Sequence, residues 1–206
     1  MGLHMKLHWS PRSPQVRKVL IVAHELALVD RIKCVRTVVD PLLPNAQLMM
    51  ENPLSKIPTL VLDDGRVIYD SAVICEYLDS LAGWQLTPSL FEERLAMRRR
   101  QSLGDGFIEF LLLLRNELRR SHPSSQLVGA FETKRRAVLA ALDNEADDLF
   151  ASQYSIGHVA IGSALSYLEF RFKERDWRAG HPYIARWHEK FCARASVRAT
   201  EFVDDE

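Results

Sequence analysis

The chain has 206 residues, of which 27 are Lys or Arg and 27 are Asp or Glu, so its formal net charge is zero. This balance argues against a general nucleic-acid-binding protein, because such proteins are usually basic. A chain of this length buries about 70% of its unfolded surface and needs no disulfide or metal to fold. Its 47% hydrophobic content excludes extensive disorder.

Neither a membrane span nor a secretory leader is expected. No apolar run, residues 110–114 included, approaches the ~18 residues of a membrane helix. Residues 1–6 lack the apolar segment of a signal peptide. The cysteines, Cys34, Cys75 and Cys192, are widely spaced and match no zinc pattern. We therefore expect no bound metal, and reduced thiols in a cytoplasmic protein.

The first 82 residues alternate strand and helix signals. In order, they predict a strand (5–9), a helix after Ser13–Pro14, a strand (32–39), a loop, two strands joined by an Asp-Gly turn (59–62 and 66–69) and a helix after 70–71. The order β-α-β-loop-β-β-α predicts an α/β layer with a mixed, four-stranded sheet.

The pattern changes after a linker at residues 83–88. Beyond it the apolar residues recur at helical spacing only, near residues 89–120, 131–151, 156–173 and 181–194. We therefore expect two domains, an α/β domain over residues 1–82 and an all-helical domain over residues 89–206.

Ser13 is the first candidate functional residue. A serine at the start of a helix places its hydroxyl beside free N–H groups and the positive end of the helix dipole, which suits an anion such as a thiolate. Capping the helix is the commoner use of such a serine. Ser10, on the same loop, is a second candidate.

Two further segments suit a peptide-like ligand. A cis bond between Ile57 and Pro58 would leave the backbone groups of Ile57 free to bind an extended peptide, although a trans bond is far commoner before proline. Asp70 and Ser71 open the second helix, where they can hold the amino and carboxylate groups of an α-amino acid or simply cap the helix.

Together these segments resemble the glutathione S-transferase superfamily. The likeness rests on the sequences Ser-Pro-Gln-Val-Arg-Lys-Val (13–19), Asn-Pro-Leu-Ser-Lys-Ile-Pro (52–58), Asp-Ser-Ala-Val-Ile-Cys-Glu-Tyr-Leu (70–78), Tyr-Ser-Ile-Gly-His-Val-Ala (154–160) and Phe-Cys-Ala-Arg-Ala-Ser-Val-Arg-Ala-Thr (191–200). It covers about residues 5–202. The resemblance implies a thioredoxin-like domain followed by an all-α domain, as in bacterial-type cytosolic glutathione transferases.

The resemblance also implies how glutathione is held. Ser13, or Ser10 in its place, would activate the glutathione thiol as a thiolate. The other contacts would be the glycyl carboxylate at Lys56, the cysteinyl backbone at Ile57 ahead of a cis Pro58, and the γ-glutamyl end at Asp70 and Ser71.

A small hydrophobic electrophile would be the second substrate. The resemblance implies a pocket lined by Trp9, Arg12, Phe107, Phe110 and Leu111, although ordinary core packing explains the last three residues equally well. It also implies a homodimer with a role in detoxification, and no nucleic acid or membrane as a partner.

Three departures from the family pattern bear on these expectations. Ser55 stands where glycine is usual. No tyrosine occupies the early-strand position that activates the thiol in some classes. His158 replaces the aspartate that usually closes the capping box of a core helix, so its folded pKa should lie below about 6.5.

Two other functions stay open from the sequence. Some proteins of this fold are interaction modules without catalysis. Others use glutathione to reduce disulfides or peroxides; serine at position 13 disfavours a mixed disulfide but permits the peroxide chemistry.

Overall fold

The computed structural model describes residues 4–174 and 176–205. The chain separates into two compact units, the first made of residues 4–87 and 195–205 and the second of residues 88–194. The break after Thr87 lies within the expected linker. Residues 195–205 belong to the first unit, whereas the sequence suggested a helical domain that continued to residue 206.

The first unit begins with a β-α-β sequence followed by a β-β-α sequence. Its elements are β1 (Met5–Trp9), α1 (Pro14–Glu25), β2 (Ile32–Arg36), α2 (Ala46–Met49), β3 (Thr59–Val61), β4 (Val67–Ile68) and α3 (Ser71–Leu81). A short 3₁₀ turn precedes β2, and α2 lies in the segment expected to be a loop. Asn45 starts α2 by accepting a hydrogen bond from the Leu48 N–H at 3.0 Å.

The four strands form a mixed sheet in the order β2-β1-β3-β4, which confirms the predicted fold class. β1 is parallel to β2 and antiparallel to β3, and β3 is antiparallel to β4. The carboxyl ends of β1 and β2 therefore share an edge with the start of β3. The loop that leads into α1 leaves from this edge.

Alternation and helical spacing explain the core of this unit. Leu7 of β1 and Leu60 of β3, paired across the sheet, have no exposed surface. Apolar residues spaced three or four apart on α1 and α3 are also fully buried, and the two helices pack on each other: Val16, Val19, Val22, Ile74 and Leu78.

The second unit is built from helices. They are α4 (Phe91–Leu118), α5 (Ser125–Asn144), α6 (Ala146–Ala151), α7 (Ile156–Arg171) and α8 (Pro182–Cys192). α7 is buried from Ile156 to Leu168 and packs along α4. A Cβ atom on Gly104 of α4 would lie 2.5 Å from the backbone of Ala160, so only glycine permits this close approach.

A last short helix, α9 (Ala195–Arg198), packs against α1. The Ser196 hydroxyl donates a hydrogen bond to the carboxylate of Glu25 at the end of α1. In the described ranges, no helix combines the length and the hydropathy that crossing a membrane requires.

Candidate functional site

Ser13 caps helix α1. Its hydroxyl oxygen accepts a hydrogen bond from the Val16 N–H at 3.3 Å, and Pro14 occupies the first helical position. A hydroxyl has two lone pairs and one hydrogen. The capping contact uses a lone pair, and no acceptor among the described residues takes the hydrogen. The half-buried Ser13 can therefore cap the helix and still donate to an anion.

Ser10 is the less accessible of the two candidate hydroxyls, with only 8% of its surface exposed. Its hydroxyl accepts from the Arg12 N–H at 3.4 Å. Its carbonyl accepts from the Ser13 N–H at 3.2 Å. Both contacts shape the turn between β1 and α1.

Asp70 and Ser71 start helix α3, as expected. An Asp70 carboxylate oxygen accepts from the N–H groups of Ala72 at 2.9 Å and Val73 at 3.4 Å. Asp70 is exposed, so its second carboxylate oxygen faces solvent and can accept from an ammonium group. The Tyr69–Asp70 peptide bond is cis.

Gln15 joins the two helix starts, a role that the sequence did not predict. The Ser71 hydroxyl, on a residue 4% exposed, lies 2.8 Å from the Gln15 side-chain oxygen and donates to it. Turning the Gln15 amide over reverses this contact and frees the Ser71 hydrogen for a carboxylate ligand. The sequence feature that could have indicated this role is the position of Gln15, a polar residue in the first turn of α1, two residues after Ser13.

The 52–58 segment is organised by Asn52, a second residue whose role the sequence did not predict. Asn52 is 1% exposed, and its amide donates to the Lys56 carbonyl at 3.1 Å and to the Thr59 hydroxyl at 2.9 Å. The Ile57–Pro58 peptide bond is cis. Neither backbone group of Ile57 has a hydrogen-bond partner within the described chain, and the Lys56 side chain is exposed.

Ser55 keeps the backbone shape that glycine would give this loop. Its φ angle is +51°, in the left-handed region. Its hydroxyl accepts a hydrogen bond from the Asn45 N–H at 2.9 Å, which ties the loop to the start of α2. The serine therefore adds a contact without changing the conformation.

Glu51 fastens the end of α2 to β1, next to the 52–58 segment. Its carboxylate lies 2.5 Å from the Lys6 ammonium and 2.5 Å from the His8 ring. Burial alone would raise the pKa of Glu51, but the hydrogen bonds and charges of Lys6 and His8 outweigh it and hold this pKa below its usual value. The opposite ring nitrogen of His8 contacts the Thr37 hydroxyl at 2.8 Å.

Trp9 and Arg12 lie at the same edge of the sheet as Ser13. Trp9, half-buried, ends β1. The Arg12 guanidinium forms ion pairs with two carboxylates near the end of the described chain, Asp205 at 3.0 Å and Asp204 at 3.9 Å. The expected pocket residue Arg12 is thus already engaged with acidic groups.

The other three expected pocket residues belong to the second unit. Phe107 and Phe110 border a hollow of about 450 Å³ that Leu103, Gly106 and Val138 also line. The rings of Phe107 and Phe110 are 4.9 Å apart. Leu111 has no exposed surface and lies in the core.

The remaining predicted residues come together in the first unit. Thr59, directly after Pro58, pairs with His8 in the sheet, so the 52–58 segment meets the end of β1. Gln15 connects the starts of α1 and α3. Three segments that are distant in the sequence therefore lie at the same edge of the sheet. They present the Ser13 hydroxyl, the Asp70 carboxylate and the free backbone groups of Ile57. In the described ranges, no three His, Cys, Asp or Glu side chains cluster as a metal site would require.

Two family models match the chain. A family model described as glutathione S-transferase, N-terminal domain, matches residues 12–81, and one for the C-terminal domain matches residues 125–190. The chain is 28% identical to the GST-like protein YibF of Escherichia coli (strain K12), over 96% of this chain and 98% of that protein.

Two solved structures from Pseudomonas fluorescens Pf-5 are also similar. A glutathione transferase family member with bound glutathione is 36% identical and has a TM-score of 0.92, over 97% of this chain and 100% of that chain. One with bound S-(propanoic acid)-glutathione is 35% identical and has a TM-score of 0.87, over 96% and 98%.

Proposed function

Since the chain belongs to the glutathione S-transferase family, we propose that it is a glutathione transferase in which Ser13 stabilises the glutathione thiolate. The observation that carries this proposal is the Ser13 hydroxyl at the start of α1, which caps the helix with a lone pair and keeps its hydrogen for an anion. Glutathione is the co-substrate, as the glutathione-bound neighbour supports.

The energies are adequate for this role. Lowering a thiol pKa by two units requires about 2.7 kcal/mol. A hydrogen bond to a charged group contributes about 1.5–3 kcal/mol, and the positive end of a helix contributes about 0.3–2 kcal/mol. One hydroxyl at a helix start is therefore enough to make the thiolate abundant near neutral pH.

The rest of glutathione binds along the same edge. The free backbone groups of Ile57 pair with the cysteinyl residue, as in an added strand. The ammonium of the γ-glutamyl end binds Asp70, and its carboxylate binds the Ser71 hydroxyl and the Ser71 N–H. The exposed Lys56 side chain binds the glycyl carboxylate.

The thiolate then attacks a small hydrophobic electrophile. The sulfur forms a bond to the electrophilic carbon, and the leaving group departs with the bonding electrons. Trp9 and Arg12 contact this substrate in the first unit. Phe110 offers apolar surface in the second, where Phe107 and Leu111, 1% and 0% exposed, support it from the core. The outcome is conjugation of reactive compounds, which is a detoxifying reaction.

The test compares Ser13→Ala with a matched control, Ser124→Ala. Ser124 caps α5 with the same geometry, since its hydroxyl accepts from the Leu127 N–H at 3.3 Å, but it has no proposed chemistry. We expect Ser13→Ala to displace the pH–rate profile of conjugation to higher pH, whereas Ser124→Ala leaves that profile unchanged. Retention on immobilised glutathione should be similar for all three proteins.

Other outcomes would replace the proposal. Superimposable profiles for Ser13→Ala and wild type would remove Ser13, and a shift on Ser10→Ala would give the role to Ser10. A wild-type protein that neither binds immobilised glutathione nor transfers it would be an interaction module.

The dimer is a further part of the proposal. A hollow of about 360 Å³ on the β4–α3 side of the first unit is lined by Tyr69, Val73, Tyr77 and Trp84, and Val73 and Trp84 are each 50% exposed. An apolar surface of this kind suits a second copy of the chain. Light scattering should show Val73→Lys as a monomer, while Val38→Lys, at a 63% exposed position outside the hollow, remains a dimer.

We place the enzyme in the cytoplasm. None of Cys34, Cys75 and Cys192 takes part in a disulfide, and cytoplasmic thiols stay reduced. Fractionation of the source cells checks this placement.

A further inference from the structure

Residues 199–205, which we call the strap, follow α9 and run back to the loop that carries Ser13. A buried arginine anchors the first half of the strap. Arg17 of α1, 6% exposed, donates to the Thr200 carbonyl at 2.8 Å and to the Val197 carbonyl at 3.2 Å. Its guanidinium also lies over the Phe202 ring, 4.7 Å from the centroid.

The end of the strap places a carboxylate between two arginines. One Asp205 oxygen lies 3.0 Å from Arg12 Nε. The other accepts from Arg36 at 2.7 Å and 2.9 Å, through two nitrogens of one guanidinium. The Val203 N–H reaches the Pro11 carbonyl at 3.4 Å. Arg12 and Arg36 therefore form a fitted carboxylate site that the protein fills with its own side chain.

This carboxylate site lies beside the proposed thiolate position. Arg36 ends β2 and is the register partner of Trp9, which ends β1. Arg12 directly precedes Ser13 in the loop. The two guanidinium groups are thus at the carboxyl edge of the parallel strands, where α/β sheets usually bind ligands.

The two halves of the strap differ in how firmly they are held. Arg17 is buried, so its bonds to the strap are shielded from water. The side chains at the tip are partly exposed, with 23% of Arg12, 34% of Arg36 and 31% of Asp205 accessible. Ion pairs exposed to this degree are weak, because water and salt screen them. The Asp205 carboxylate can therefore be exchanged while Arg17 keeps the rest of the strap in place.

We propose that Arg12 and Arg36 form a subsite for the carboxylate of an acidic electrophile, and that Asp205 occupies this subsite until such a substrate displaces it. The inference rests on the proposed transferase function and names a substrate class for it. In the conjugation of an aryl chloride, the glutathione sulfur forms the C–S bond, the C–Cl bond breaks and chloride leaves with its electron pair. The carboxylate takes no part in these bonds and serves only to bind.

The experiment compares two aryl chlorides that differ in one group, 4-chloro-3,5-dinitrobenzoate and 4-chloro-3,5-dinitrobenzamide. Asp205→Asn removes the carboxylate that both arginines bind, and leaves Asp204, which lies 3.9 Å from Arg12. We expect it to lower KM for the benzoate about 5-fold, the effect of one partly exposed ion pair, and to leave KM for the benzamide unchanged. Arg36→Gln should raise KM for the benzoate alone, and in the double variant the gain from Asp205→Asn should disappear.

The matched control is Asp64→Asn, which breaks an exposed ion pair with Arg66 in the β3–β4 turn at 2.7 Å. It should change neither KM. If Asp205→Asn leaves the ratio of the two KM values, benzoate to benzamide, unchanged, the subsite is overturned. This includes an equal fall in KM for both substrates, which would show that the strap acts as a steric cover. A wild-type enzyme that conjugates neither compound with glutathione would instead overturn the proposed function.

Discussion

Serines cap three of the described helices, α1, α5 and α7, and the first and the last of these serines are used differently. Ser13 at the start of α1 is half-buried, and its hydroxyl hydrogen has no acceptor in the described chain. Ser155 at the start of α7 is 2% exposed. Both its backbone N–H, at 3.1 Å, and its hydroxyl, at 2.8 Å, donate to the Nδ1 atom of His158.

The residue three positions after the serine accounts for the difference. At α7 this residue is His158, whose ring nitrogen accepts the donors of the cap and closes it. At α1 it is Val16, which has no acceptor, so the cap stays open. A serine at a helix start is thus a closed, structural cap where the third residue can accept, and an open cap where that residue is apolar. Ser124 of α5, followed by Leu127, is open as well. An open cap therefore binds a ligand only where other binding groups lie beside it, as Asp70 and Ile57 do for Ser13.

Breaking the closed cap should have the largest effect on stability. In His158→Ala both Ser155 donors lose their acceptor, the Leu149 carbonyl loses the Nε2–H donor at 3.1 Å, and a cavity remains. We expect a loss of about 3 kcal/mol of unfolding free energy, measured by urea denaturation. Ser124→Ala, which removes one exposed capping contact at 3.3 Å, is the control. A loss below about 1 kcal/mol would mean that the cap contributes little.

The closed cap should also make stability depend on pH. Burial lowers the pKa of His158 to about 4, the charges of Arg100 and Arg194 act in the same direction, and the Leu149 carbonyl opposes them. The unfolded chain, with a histidine pKa of about 6.5, binds the proton more tightly, so stability is present above that pH and falls as the pH drops towards 4. Wild type should lose about 2 kcal/mol between pH 8 and pH 5 from this group.

His158→Asp tests that dependence. An aspartate keeps the acceptor for Ser155 but loses the donor to Leu149, so at pH 8 the two proteins should differ by no more than about 1 kcal/mol. Thermal melts measure the difference in unfolding free energy between the variant and wild type. This difference should be about 2 kcal/mol more in favour of the variant at pH 5 than at pH 8. A difference that stays constant with pH would contradict the buried, neutral His158.

The start of α3 is a third case, an open cap made by a carboxylate. Asp70→Asn keeps the cap but removes the charge that the γ-glutamyl ammonium would meet. We expect glutathione to bind about 10-fold more weakly, whereas an analogue without the γ-glutamyl amino group should be unaffected. Calorimetric titration of both ligands measures this. Equal losses for the two ligands would show that Asp70 acts only as a cap.

Removing the open cap should have the smallest effect on stability. Ser13→Ala should lose about 0.5–1 kcal/mol of unfolding free energy, because it removes one partly exposed hydrogen bond that caps α1. Ser124→Ala has the same cap geometry and should lose a similar amount. A much larger loss of unfolding free energy in Ser13→Ala would show that Ser13, like Ser155, mainly stabilises its helix.

Local patterns were sufficient for the sheet and for most helices. Alternation and helical spacing predicted β1, α1 and α3, and Asp70 caps its helix as expected. Local patterns predicted less where a helix is short or begins with polar residues. α2 has four residues between prolines and was expected to be loop, and α5 begins at Ser125, six residues before the expected start.

Long-range contacts account for what could not be predicted. Asp205 and Arg12 are far apart in the sequence, and no local pattern indicates that residues 195–205 pack with the first unit through Arg17. The link between Gln15 and Ser71 likewise depends on how α1 and α3 pack. Such pairs are determined by the tertiary fold, whereas spacing in the sequence reports only on single elements.

The most direct test of the open cap at Ser13 is a titration of the bound glutathione thiol, followed by the ultraviolet absorbance of the thiolate. We expect the wild-type complex to titrate about two units below the ~8.5 of an ordinary thiol, and the Ser13→Ala complex to titrate close to that ordinary value. Identical titration curves for the two complexes would contradict the account, because the Ser13 hydroxyl would then contribute nothing to the thiolate.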